Sequence, residues 1–194
     1  ISIMIKLITL CLLVVFLTAC SSIKLSRAGY EEASHNVLLR EGPLELRRYS
    51  ELNLVQTKME NNEGSGFMRL FNYIDRGNSK KSKIAMTTPV FTSEKKGEKT
   101  MAFVLPSKID TKDIPVPVNQ FVETLTRASG LYAVHRYSGR RVQGAPKKIQ
   151  RQLKNWIKKN DLLPQGELIN AFYDTPWTPP FLRRNELLIE VKQP

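Results

Sequence analysis

The chain has 194 residues, is 41% hydrophobic, carries a formal net charge of +12 and holds two cysteines. So basic a balance favours anionic partners such as lipid headgroups, nucleic acid or a small anionic ligand. Two cysteines leave no room for a disulfide framework, and the length suits one domain with a core of useful size.

The first feature in chain order is an apolar run, Leu7 to Leu17, preceded by Lys6. Spanning a bilayer takes about 20 residues, so a run this short behind one positive charge predicts a secretory signal. "LTAC" follows, Leu17 to Cys20. Small residues before a cysteine resemble the bacterial lipobox, which implies cleavage before Cys20 and a diacylglyceryl thioether on it; an ordinary cleavage site with an incidental cysteine is the alternative. The expected organisation is a signal peptide over 1–19, a lipidated tether over 20–35 and a domain over 36–194. The sequence opens on Ile1, leaving Met4 as a candidate start and a fragment as the other reading. Cys11 falls in the removed segment, so the mature domain is expected to hold no free thiol, disulfide or cysteine metal ligand. Ser21 after the cysteine, by analogy with Gram-negative sorting, points to the periplasmic face of the outer membrane. That compartment argues against nucleic acid as the anionic partner.

"LELRRY" (Leu44 to Tyr49) and "ELNLVQTKM" (Glu51 to Met59) read as strands, the second by its alternation at Leu52 and Leu54. A helix is predicted from about Ser65 to Asp75, because Phe67, Leu70, Phe71 and Ile74 recur at helical spacing. "KIAMTTPVFTS" and "KTMAFVLPS" predict two strands around a lysine- and glycine-rich hairpin, and the proline-rich "DIPVPVN" follows. The order then recurs: strands at Gln120–Arg127 and Leu131–Tyr137, a helix at about Pro146–Lys159, and strands at Glu167–Tyr173 and Leu187–Val191. Two ββαββ halves without long crossovers predict an antiparallel α+β fold from an internal duplication.

The strings "GPLELRRY", "GFMRLFNYIDRGN", "KIAMTTPV", "MAFVLPS", "YAVHRYSG" and "YDTPWTPPFLRRNELLIEV" resemble, in order, the SOUL family of heme-binding proteins across nearly the whole mature domain. The resemblance implies a distorted antiparallel β-barrel with two flanking helices, built from two pseudo-repeats. It also implies non-covalent binding of heme or a related tetrapyrrole, with no settled enzymatic reaction.

The residues constrain how heme could be held. No C-x-x-C-H occurs, which excludes covalent c-type attachment. Some relatives are thought to use a histidine in the strand reading "LELRRY" here; the matching residue is Arg48, which cannot ligate iron. His35 falls in the expected tether, as do Glu31 and Glu32. His135 sits on an apolar strand face, where a structural role outweighs ligation. Other relatives bind heme in a shallow apolar patch beside the first helix. At about 100° per residue, Phe67, Leu70, Phe71 and Ile74 form the buried stripe, while Met68, Arg69, Asn72 and Arg76 fall outside it. A thioether beside guanidiniums can seat a porphyrin ring and its propionates, with Met68 a weak iron ligand; a plain solvated face is the other reading.

"DTPWTPPFLRRNE" (Asp174 to Glu186) holds three prolines and so is neither helix nor central strand. By resemblance this loop lies near the first helix, with Trp177 and Phe181 as aromatic surface and Arg183 or Arg184 free for an anion. Plugging the barrel end is the alternative.

The second helix carries Ile149, Leu153, Trp156 and Ile157 on one side and Lys147, Arg151, Lys154 and Lys158 on the other, flanked by Lys148 and Lys159. Like charges at that spacing cost about 0.2–0.5 kcal/mol per pair. They form either a solvated face or a ridge resting on anionic headgroups. No P-loop, H-E-x-x-H or G-x-S-x-G occurs, "GSGFMR" is no dinucleotide site, and no nucleophile, base and orienter can be assembled. The reading is a lipid-anchored, non-enzymatic tetrapyrrole binder, with an envelope structural or interaction module as the alternative. Cys20→Ser is expected to abolish incorporation of radiolabelled palmitate; label that survives the change would refute the anchor.

Overall fold

The computed structural model describes residues 29–59, 63–140 and 144–194. Cys20 and the expected signal peptide lie outside the described residues. The compact unit runs from Glu31 to Pro194. Its strands are β1 (Glu31–Glu32), β2 (His35–Glu41), β3 (Leu44–Tyr49), β4 (Leu52–Met59), β5 (Thr87–Thr88), β6 (Val90–Lys95), β7 (Glu98–Val104), β8 (Val122–Arg127), β9 (Gly130–Tyr137), β10 (Leu163–Phe172) and β11 (Asn185–Lys192). Helix α1 (Glu63–Ile74) follows β4 and α2 (Lys147–Lys159) follows β9.

Among the described residues, nine strands form one sheet in the order β2-β3-β9-β11-β10-β6-β7-β4-β8. Every neighbouring pair in it is antiparallel. The fold is therefore α+β with a large antiparallel sheet and two helices. No strand pairing joins β8 to β2 among the described residues.

Strand alternation sorts the core into an inner face and an outer face. Leu52, Leu54, Phe91, Ala102, Val104, Val134, Ala171 and Leu188 pack together on the inner face. The outer face is buried as well, because a helix covers each half. Leu70, Tyr73 and Ile74 of α1 pack on Val55, Val90, Met101 and Phe103. Leu153, Trp156 and Ile157 of α2 pack on Leu46, Ala133, Leu187 and Val191. Covered on both sides, β4 buries both Leu54 and Val55, so its sequence alternates imperfectly.

The sequence reading is revised in four places. The folded unit begins at Glu31, so His35 and the Glu31–Glu32 pair belong to strands and not to the tether. Ala33 N–H donates to the Thr88 carbonyl at 2.8 Å, and the Glu31 carboxylate accepts from the Ser107 amide at 2.6 Å. The strand expected over "KIAMTTPVFTS" starts only at Thr87 and is split by Pro89, whose peptide bond is cis. β10 starts four residues early, at Leu163. Its register against β11 shifts between Gln165 and Ile169, where Gly166 has φ 70°, and β6 pairs it only from Ile169. Pro164 thus sits where no ladder bond on the β6 side is needed. Finally β2, which no alternation announced, is an edge strand with a register shift between Val37 and Leu39, and it exposes Val37, Leu38 and Leu39.

One cluster on the inner face is charged. Glu186 is 0% and Arg47 2% exposed. Arg47 Nη1 and Nη2 donate to the two Glu186 oxygens at 2.7 and 3.0 Å, and its Nε donates to Glu45 at 2.6 Å. Tyr173 O–H and Arg184 Nε also donate to Glu186, at 2.8 and 2.9 Å. Burial pushes the Glu186 carboxyl up, but the bonds and charge of Arg47, with the Arg184 charge and the Tyr173 bond, outweigh it and hold its pKa below the ordinary value. A lowered folded pKa contributes stability that is present above the unfolded value, about 4.3, and is lost as pH falls through the folded one. Glu186→Gln strands a buried guanidinium beside Glu45 alone and is expected to cost about 3–5 kcal/mol at pH 7. The gap to the parent should narrow on acidification below about pH 4. Denaturant melts at the two pH values check both points; a cost under about 1 kcal/mol would show the pair is not needed.

Candidate functional site

The outer side of α1 carries the residues singled out for binding. Gly66, Leu70, Tyr73 and Ile74 point into the core. Met68 lies opposite, 51% exposed, with Asn72 and Arg76 also exposed. Phe71 corrects the expected buried stripe: it is 41% exposed, and its ring stacks on Phe67 with centroids 6.2 Å apart. Phe67 in turn meets Phe103 of β7 edge-on. Tyr73, polar at its tip, takes the buried place because its hydroxyl donates to the Pro115 carbonyl at 2.8 Å.

That bond belongs to a set laying residues 114–121 along α1. Val118 N–H donates to the Gly77 carbonyl at 3.2 Å, and Ser79 N–H to the Val116 carbonyl at 2.8 Å. Thr57 Oγ1 donates to the Phe121 carbonyl at 2.7 Å and accepts from Arg69 Nε at 3.1 Å. This segment exposes Val116, Val118 and Phe121. Their exposure beside α1 has no clear sign in the sequence, because a proline-rich stretch reads as a connector. The available signal was three large apolar residues in a segment that is neither helix nor sheet.

The arginines differ in availability. Arg69 is committed in part: besides Thr57, its Nη2 donates to the Lys58 carbonyl at 2.6 Å. Arg76 is exposed and holds a left-handed conformation, φ 79°, at the end of α1. Gly77 N–H then bonds back to the Asn72 carbonyl at 2.8 Å, and a side chain on Gly77 would put its Cβ 2.5 Å from that oxygen. Such a helix end usually places glycine in the left-handed position, yet here an arginine occupies it.

The loop after β10 is tied elsewhere. Its Pro180 carbonyl accepts from the Gly139 amide at 2.9 Å, beyond β9. Arg184 makes two bonds to Glu32 of β1, at 2.7 and 2.9 Å, and stacks on the Tyr173 ring at 3.7 Å. Arg183 folds back onto the loop, donating to the Thr178 and Pro176 carbonyls at 2.7 and 2.6 Å. Arg184 is taken up by Glu32 and Glu186, whereas Arg183, like Arg69, is committed in part through its Nε and Nη2 donors; both organise the loop. Trp177 is 89% exposed and Phe181 is exposed too, so these rings do not plug the sheet.

The histidines are engaged. His135 is buried on the outer face under α2, its ring nitrogens against the Arg136 carbonyl at 2.9 Å and Gln152 Oε1 at 3.2 Å. His35 Nδ1 meets the Ala33 carbonyl at 2.9 Å, and its ring packs on Tyr49. Arg48 is exposed on β3. Among the described residues no group of three or more His, Cys, Asp or Glu is placed to hold a metal ion.

An antiparallel sheet backed by two amphipathic helices, one presenting an exposed thioether, rings and guanidiniums, defines an α+β domain with a surface shelf. A family model described as SOUL heme-binding protein matches residues 30–190, and the chain belongs to that family. Among solved structures, a hydrolase from Listeria innocua aligns at 9% identity with TM-score 0.60, over 80% of this chain and 94% of that one. The EcmrR C-terminal domain aligns at 11% identity with TM-score 0.55, over 78% of this chain and 98% of that one. At these identities the likeness is one of fold alone. No curated protein matches.

Arg76→Gly is expected to change stability and binding in opposite senses. Relief of the left-handed backbone is worth about 1–2 kcal/mol, partly offset by about 0.4–1 kcal/mol from the freer unfolded chain. A thermal melt should therefore rise slightly while affinity for an anionic ligand on α1 falls. Unchanged affinity would remove Arg76 from the site.

Proposed function

We propose that this protein is a lipid-anchored envelope protein that binds heme or a related tetrapyrrole reversibly, without catalysing a reaction on it. The ring would lie on the outer side of α1, over Met68 and Asn72, walled by the 114–121 segment, with Arg76 and the remaining donors of Arg69 for the propionates. The observation that carries this reading is the coincidence, on one helix of a SOUL family member and the turn that ends it, of an exposed Met68 and Phe71 with an exposed Arg76 that has no ion-pair partner among the described residues. Trp177 and Phe181 would form an outer wall only if their loop reaches the bound ring. Cys20 supplies the anchor in this reading, and the exposed ridge of Lys147, Arg151, Lys154 and Lys158 meets anionic headgroups.

The same reading takes the sheet as a distorted barrel made of two related halves. If β8, β9, β10 and β11 are the counterparts of β3, β4, β6 and β7, the order β3-β9-β11-β10-β6-β7-β4-β8 has the same sense from either end. Each half then lends its first strand to the other.

Apolar cover should dominate the affinity, at about 25 cal/mol per Å² before association costs. Propionate contacts would add about 1.5–3 kcal/mol each. A site without an axial imidazole should take iron-free protoporphyrin about as well as hemin. In Soret titrations we expect similar affinities for the two pigments, little effect of His135→Ala, and a loss of about tenfold or more for Met68→Asp or Val118→Asp. A tenfold loss for Trp177→Ala would bring the 174–184 loop into the site. Loss of hemin binding in His135→Ala, with protoporphyrin never bound, would establish histidine ligation instead. The second reading, an envelope interaction module without heme, is favoured by Arg48 at the position where some relatives are thought to carry a histidine; a Soret band that never shifts would select it.

A further inference from the structure

A cleft of about 820 Å³ opens on the far side of the molecule's second helix, between α2 and the β10–β11 pair. Leu153, Ile157, Leu162, Leu163, Leu168 and Ile189 line it. The volume is that of a small-molecule site, about 300–1,000 Å³, and large enough for a flexible chain. Every apolar side chain in the lining is aliphatic or proline. There is no aromatic ring to stack on a planar pigment and no His, Met or Cys to reach an iron.

The polar groups of the lining are three, and all lie at the α2 side. Lys154 and Lys158 stand one turn apart, both exposed. Neither has a carboxylate at ion-pair distance among the described residues, whereas the neighbouring Lys159 is held by Glu41 at 3.0 Å. Asp161, in a left-handed turn after the helix, is the one carboxylate side chain of the lining, so its side chains keep an excess of positive charge. Repulsion between like charges at i and i+4 costs the helix stability. An anion bridging both ammonium groups would relieve that cost.

We infer that this cleft binds a single-chain anionic amphiphile, a long-chain carboxylate, with its tail along the aliphatic lining and its head between Lys154 and Lys158. The site is separate from the α1 shelf and does not depend on tetrapyrrole binding; it takes Lys154 and Lys158 for the carboxylate and leaves Lys147 and Arg151 of the ridge, which are not in its lining, for headgroups. The charge complementarity of the rim selects an anionic head, and the all-aliphatic lining selects a flexible hydrocarbon over a ring.

Dansylundecanoate fluorescence, titrated with the full chain, tests this. A saturable signal is expected, displaced by dodecanoate and, about tenfold less well, by dodecanol. Lys154→Glu combined with Lys158→Glu should weaken the probe by about tenfold or more. Leu163→Asp should do the same; Leu163 is exposed at the rim, so the thermal melt should stay as in the parent. Hemin titration should be unaffected by these variants. Equal displacement by dodecanol and dodecanoate, with no effect of the lysine changes, overturns the proposal. So does a signal displaced by protoporphyrin and lost in Met68→Asp, which would put the probe on the α1 shelf. Binding to phosphatidylglycerol vesicles without any binding of the monomeric probe would make the cleft a membrane-docking face and overturn it too.

Discussion

The carboxylate of Glu186 is the point from which most of the architecture can be understood. It lies on β11, takes two bonds from Arg47 of β3, and takes one each from Tyr173, just past β10, and from Arg184, just before β11. Arg184 passes the connection on to Glu32 of β1. An uncompensated charge in that position would cost several kcal/mol, so the segments must meet in one arrangement to satisfy it. An apolar replacement of the whole cluster could match its stability, but apolar contacts are non-directional and would not fix the same register. The loop that positions Trp177 and Phe181 starts and ends within this cluster, so their placement follows from it.

Much of the fold was legible in the sequence. The 3.6-residue period located both helices to within two residues at either end, and the lysine- and glycine-rich turn located the β6–β7 hairpin. What escaped has physical reasons. The burial of Arg47, Glu45 and Glu186 had no signal in the sequence, because charged residues are almost never buried unless paired and pairing across 139 residues leaves no local trace. Phe71 and Tyr73 exchanged places because a helical wheel counts apolarity, whereas the Tyr73 hydroxyl found the Pro115 carbonyl. β2 was missed because an edge strand lacks the burial that imposes alternation. The candidate site divided in the same way. Met68, Asn72 and Arg76 are where the wheel put them, while Arg183 and Arg184 turn inward to backbone and carboxylate partners that no spacing rule announces.

The two helices share an architecture and differ in their outer sides. Both bury an apolar stripe against the outer face of the sheet. On α1 the side turned to solvent mixes a thioether, a phenyl ring and a few guanidiniums, and a neighbouring segment adds more apolar surface. On α2 the corresponding side is a run of lysines and arginine with an aliphatic cleft at its flank. One scaffold thus offers two chemically distinct surfaces, one suited to a flat ring with acidic substituents and the other to a slender chain with an acidic end.

The edge strand β2 has a consequence for how copies of the protein coexist. Among the described residues β2 pairs on one side only, so the edge beside Val37, Leu38 and Leu39 is a template on which a strand of another molecule could add. The register shift between Val37 and Leu39 breaks that template at its most apolar point, since a bulge twists the strand and misaligns its hydrogen-bonding groups. The irregularity in pairing with β3 therefore also makes the exposed edge a poorer template for a neighbouring strand than a straight strand of the same apolar residues would be.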